Sequence, residues 1–198
     1  IQSALDCGID EILLDFEDVR RYREAVALIK QRSHASVWLA TPRIQKAGEQ
    51  GFFKLIEGAS SDGVLIRNLG AVDFFKQSSS PAASRLLGDF SLNIANPIAA
   101  CEFLQRGLER VTLSYDLTAE QVTELTLALP ESLRDRLQLT IHQHMPMFHM
   151  EHCVFAAFLS TGKLHLDCGR PCEKHRVHVR DRVGVSHPLR ADVGCRNT

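Results

Sequence analysis

Four thiols dominate the chemistry this chain could carry out. Cys153, Cys168, Cys172 and Cys195 are separated by 14, 3 and 22 residues. Four thiolates brought together can ligate zinc, hold an iron–sulfur cluster or pair as disulfides. Zinc ribbons favour short Cys-x2-Cys hairpins used in pairs, and only one short pair is present here. A [4Fe–4S] cluster tolerates irregular spacing, because the cluster itself sets the geometry and takes one soft ligand per iron. Spacing alone leaves zinc and cluster level. Disulfides would require an oxidising compartment, which nothing in the sequence suggests.

Histidines accompany the thiols. Eight of the nine (142, 144, 149, 152, 165, 175, 178 and 187) fall in the last 57 residues. His142, His144, His149 and His152 are the candidate catalytic set, of which one or two are expected to face a substrate. Met145, Met147 and Met150 read as a pliable wall beside that site. Cys7 and Cys101 stand apart and read as small core residues. From Lys163 onward eight Lys/Arg oppose four acids, so a basic tail follows a mildly acidic scaffold. Arg170, Lys174, Arg176 and Arg196 in that tail could offset a cluster's negative charge and steer an anionic substrate.

The elements that must position these groups are legible upstream. The chain has 198 residues, 44% hydrophobic and 24% charged, with net charge −1. That is a globular profile, with no apolar run long enough to span a bilayer and no bulk charge to mark a nucleic-acid binder. It opens without Met and shows no signal-peptide pattern, and it reads as a stretch of a longer cytoplasmic protein whose upstream part is missing. Short apolar or β-branched runs at 11–15, 37–40, 63–67, 91–94, 111–114 and 137–141 read as buried strands. Amphipathic helices are expected between them at 17–31 (with Asp15 as N-cap), 51–57, 71–76 and 97–106. A further helix starts at the Thr118–Gln121 capping box. Strand alternating with helix implies parallel strands joined by right-handed crossovers. About 24 residues per unit is barrel spacing, and neither a dinucleotide nor a P-loop glycine motif is present. The expected fold is α/β: a parallel (β/α) TIM-like barrel, incomplete at about six of eight units, over residues 1–141. A Cys/His-rich basic extension, 142–198, would close the barrel mouth within the same domain. An open flavodoxin-like sheet is the alternative.

In such a barrel, ligands gather at the C-terminal strand ends. Those ends read Thr41-Pro42-Arg43, Arg67-Asn68-Leu69-Gly70, Asn93–Asn96, Ser114-Tyr115-Asp116 and His142–His144. Arg67, Asn68, Asn93 and Asn96, with Arg176 and Arg196 from the tail, are the candidate substrate-binding residues.

The stretch from His144 through Cys153, the segment Asp167-Cys-Gly-Arg-Pro-Cys172-Glu-Lys-His-Arg176 and Gly194-Cys-Arg-Asn-Thr198 together resemble the collagenase-like peptidase family U-32. Upstream, Ser91-Leu-Asn-Ile-Ala-Asn-Pro97 and Arg110-Val-Thr-Leu-Ser-Tyr-Asp-Leu117 look like further segments of that family. The match runs over roughly residues 60–198. It implies a TIM-like barrel binding a [4Fe–4S] cluster, with Cys153, Cys168 and Cys172 as ligands and Cys195 as the natural fourth. It further implies hydroxylation of RNA or of an aromatic quinone precursor, with a possible partner subunit. Two other readings stand beside it. One is a peptidase, as the family's label says, although neither Gly-x-Ser-x-Gly nor His-Glu-x-x-His is present. The other is a structural-zinc module that binds nucleic acid.

Overall fold

The apolar runs and helix caps of the first two-thirds of the chain produce a repeating strand–helix unit. A computed structural model describes residues 1–162 and 167–198; Lys163 and His165 therefore lie outside the described residues. The described chain divides into two compact units. One comprises Ile1–Asp15 and Val19–Gln143, the other Phe16–Asp18 and His144–Thr198.

In the first unit, α1 (Gln2–Asp6) leads into β1 (Glu11–Leu14), followed by α2 (Tyr22–Arg32) and β2 (Ser36–Ala40). Then come α3 (Gln50–Glu57), β3 (Gly63–Ile66), α4 (Leu69–Lys76), β4 (Leu86–Gly88) and α5 (Pro97–Gln105). The unit ends with β5 (Arg110–Thr112), α6 (Ala119–Ala128), α7 (Glu131–Arg134) and β6 (Leu137–Gln138). All neighbouring strands are parallel and lie in chain order from β1 to β6. A flavodoxin-like sheet reverses its strand order after the first crossover. No reversal occurs here, which removes that alternative. Crossovers of one hand then stack the helices on one side, and the sheet curls into a half-barrel.

Side chains show the curl directly. Glu11 on β1 forms an ion pair with Arg110 on β5. In a flat sheet these strands would stand about 19 Å apart, beyond the reach of the two side chains. The concave face carries Trp38, Ala40, Leu65 and Leu87 as one buried cluster. The Arg85 and Arg110 guanidiniums lie 4.7 and 6.0 Å from the centre of the Trp38 ring. Gly63 makes room for that indole: a Cβ there would fall 2.1 Å from a ring carbon. The convex face is lined by Val37, Leu39, Val64, Ile66, Leu86 and Val111, all buried.

Three expectations need correction. The fourth strand is Leu86–Gly88, not 91–94. Asp89 caps a turn of 3-10 helix at Phe90–Leu92, and Asn93 adopts the left-handed region at φ 53°. Only Ile94 of that run reaches the sheet, through one bridge to Leu113. The second helix starts at Tyr22 after a 3-10 turn, and Asp15 pairs with Arg67 rather than capping it. Cys7 is exposed and Cys101 only half-buried, so Cys7 is no core residue. The Thr118–Gln121 capping box is present as read.

The second unit is built from small pieces. They are α8 (Val154–Leu159), α9 (Pro171–Lys174), the antiparallel pair β7 (Val177–Arg180) and β8 (Ser186–Leu189), and the antiparallel pair β9 (Ala191–Asp192) and β10 (Arg196–Asn197). Among the described residues no helix is long and apolar enough to cross a membrane.

Candidate metal centre

Each of the four cysteines sits at a defined turn or cap of the second unit. Cys153 is the N-cap of α8, its sulfur accepting the Ala156 N–H at 3.4 Å. Cys168 and Cys172 flank Gly169 and Arg170, which both adopt left-handed backbone, at φ 66° and 52°. Pro171 then starts α9 and carries Cys172 into its first turn. Cys195 follows Gly194 in the turn between β9 and β10, both residues left-handed at φ 61° and 75° respectively. Left-handed backbone costs a non-glycine residue about 1 kcal/mol, so Arg170 and Cys195 are held there by their surroundings.

The hold on Cys195 is visible. Asn197 Oδ1 accepts the Val154 N–H at 2.7 Å, and the Asn197 and Met150 backbones exchange two hydrogen bonds. Arg196, 2% exposed, donates to Glu151 Oε1 at 2.9 Å and to the Val193 carbonyl at 3.3 Å. The segment after Cys195 is thus stitched to the residues around Cys153. Arg196 is correspondingly unable to bind an external substrate directly, which corrects its expected role. His149 joins the same network, Nδ1 lying 3.0 Å from Thr198 Oγ1 and 3.6 Å from Asp192 Oδ2.

Electrostatics tie the sulfurs together. Burial pushes the Cys172 thiol up to about 11, helped by the Glu17 carboxylate and by Cys153, with Arg170 opposing. Cys195 is also raised, by burial first and then by Cys153, Cys168 and Glu17. Each raised thiol therefore feels the sulfur of another member of the quartet. Cys172 Sγ donates to Glu17 Oε1 at 3.6 Å. Arg170 lies 4.0 Å from Glu17, 3.6 Å from Asp18 and 2.9 Å from Glu173. All six cysteines are free thiols. Among the described residues, no three His, Cys, Asp or Glu side chains converge as they would on a single ion.

Glu17 and Asp18 are the residues that sequence reasoning missed. The acidic run Asp15–Asp18 directly after the first strand was the available signal, but it was absorbed into a helix.

The strand ends of the first unit form a separate polar layer. Arg67, 4% exposed, lies 2.9 Å from Asp15 Oδ1 and 3.4 Å from Asp89 Oδ2. Its N–H donates to Thr41 Oγ1, and Ser91 donates to both the Arg67 carbonyl and Asp89. The Asn68 side chain caps α4 and donates to the Pro42 carbonyl, and Asn96 caps α5. These side chains build the layer rather than wait for a ligand, and a buried, doubly paired Arg67 offers no free fork. Arg176, His142, His144 and His152 are exposed; Met145 and Met147 are exposed too, so they do not form a packed wall.

A comparison with protein-family models finds no match to this chain, and one with curated proteins finds none either.

Proposed function

We propose that this chain belongs to a U-32-like iron–sulfur enzyme that modifies RNA or an aromatic quinone precursor by hydroxylation, working in a reducing, cytoplasmic setting. The observation that carries the reading is the gathering of Cys153, Cys168, Cys172 and Cys195, as free thiols, into one compact unit. A second observation supports it. Of the buried apolar side chains among the described residues, the second unit holds only Phe155, Pro171, Leu189 and Val193. A unit with so small a core needs a covalent or metal staple. With no disulfide present, a thiolate-bound metal group fills that role.

The donor set fits the group: four soft ligands from three turns, with Cys168 and Cys172 sharing one. When bound, an iron–sulfur cluster would supply one-electron chemistry. The chain's own residues do the rest. Glu17 is placed to accept the Cys172 proton on metal loading, and Arg170 balances the acids around it. The Asn197 and Arg196 stitches fix Cys195 beside the Cys153 turn. The half-barrel is then part of a TIM-like barrel. Its open edges β1 and β6 and the exposed Leu13 on its concave face, at 43%, suit closure by further strands.

Anaerobic purification followed by iron, sulfide and zinc quantification tests the proposal. Brown protein with equimolar iron and sulfide, lost in Cys168→Ala, is expected. Colourless protein holding stoichiometric zinc would overturn it in favour of the structural-zinc module.

A further inference from the structure

Residues 174–190 carry Lys174, Arg176, Arg180, Arg182 and Arg190 against one acid, Asp181. The geometry turns this composition into a surface. β7 and β8 form a two-stranded ribbon with Val177 opposite Leu189 and Arg180 opposite Ser186. Strand alternation puts His178 and Arg180 on one exposed face, where their cross-strand partners are Pro188 and Ser186. Arg176 continues that alternation before the strand. None of the ribbon residues that alternate onto this face, Arg176, His178, Arg180, Ser186 and Pro188, is a carboxylate.

The lone acid is exposed and engaged within the tip itself. Asp181 Oδ1 accepts the N–H groups of Val183 and Val185, and its Oδ2 lies 3.0 Å from His187 Nε2. The Gly184 N–H donates to the Asp181 carbonyl, and Gly184 takes φ 92°, which glycine adopts without strain. Asp181 therefore rigidifies the tip through His187 and two backbone amides, and it forms an ion pair with none of the five Lys and Arg side chains. Arg182 and Val183, the latter 84% exposed, are presented at the end of a preorganised ribbon. Among the described residues, no carboxylate forms an ion pair with Lys174, Arg176, Arg180, Arg182 or Arg190, whereas Arg67, Arg85, Arg106 and Arg110 of the first unit are all paired.

We propose that this ribbon is a docking surface for the backbone of a single-stranded nucleic acid. Residues two apart on a strand stand about 7 Å apart on one face, which sets Arg176, His178 and Arg180 in a row along a phosphate chain. Guanidinium forks match phosphate oxygens in pairs. The exposed imidazoles of His175 and His178 offer flat faces on which unpaired bases can stack. A membrane surface fits less well, since the tip exposes valines and no Trp, Phe or Leu to insert. The inference stands independently of what the cysteines hold.

The test is fluorescence anisotropy of the full chain with a labelled single-stranded RNA of mixed sequence, between 50 and 200 mM salt. The wild type should bind with strong salt dependence, and single-stranded DNA should serve comparably. Arg180→Ala/Arg182→Ala/Arg190→Ala should weaken binding at low salt at least tenfold. It should also reduce the log–log salt slope by about two, at ~0.7 per lost phosphate contact. The corresponding Lys triple variant should retain binding within a few-fold, and the thermal midpoint of each variant should match the wild type. An Ala variant that is folded and binds within twofold of the wild type with the same slope overturns the proposal. So does competition by polyglutamate equal to that by RNA, or binding confined to phosphatidylserine vesicles. None of these readouts uses metal or turnover, so failure here leaves the cysteine reading standing, and the reverse also holds.

Discussion

The two units are stabilised by different means. The first buries Trp38, Tyr22, Phe53, Phe75 and a continuous set of aliphatic strand residues, and it pairs Arg67, Arg85 and Arg110 with carboxylates. The second, described over Phe16–Asp18 and 144–162 plus 167–198, buries four apolar side chains and is knitted by polar stitches around four thiols. Burial at roughly 25 cal/mol per Å2 sustains the one, while the other has little apolar area to set against its ordering entropy. The lesson concerns where function can sit. If the proposed metal group holds the second unit together, the order of that unit reports the group.

The sharpest way to break this contrast is to remove a thiol. Cys168→Ala should cut iron content more than tenfold, and it should open 144–198 to limited proteolysis while 19–143 stays protected. Equal protection of both regions would show that the second unit stands on its own. Next in size is thiol reactivity in the metal-free protein. A thiol at about 11 holds roughly a hundredth of the thiolate of an ordinary one at pH 8, partly offset by the greater nucleophilicity of a more basic thiolate, so Cys172 should alkylate about tenfold more slowly. Glu17→Gln should recover part of that rate.

The pH dependence has a definite sign. The folded-state value of Cys172 lies above that of the unfolded chain, so its contribution to stability is complete below about pH 9. That contribution is lost as pH rises through about 11, because the unfolded thiol ionises first. Thermal melts of the metal-free protein across that window should fall for the wild type and fall less steeply for Glu17→Gln.

Within the first unit, Arg67→Ala should cost about 3 kcal/mol by denaturant titration, since it leaves Asp89 buried without its partner. Arg106→Ala, which breaks only an exposed pair with Glu102, should change stability by less than about 0.5 kcal/mol.

Five of six strands were readable because an apolar run in a parallel sheet needs no partner to be recognised. The fourth was misplaced because Leu86-Leu87-Gly88 is short and flanked by Arg85 and Asp89, while 91–94 mimics a strand until Asn93 turns left-handed. The sulfurs were readable by type. The residues binding them into place were not: Asn197 and Arg196 act through a carbonyl, a backbone amide and Glu151, and sequence shows none of these partners. Arginine is the general case. Arg67 and Arg180 are identical letters, and only packing reveals that one is occupied and the other available.

The single tryptophan of the chain, Trp38, lies on the concave face beneath Arg85 and Arg110, residues contributed by the fourth and fifth repeats. Its emission is thereby a built-in gauge of how far the sheet has rolled up. As the two cations arrive over the indole during refolding, the fluorescence should change last, after the helical signal is complete, timing the closure of the scaffold without any added label.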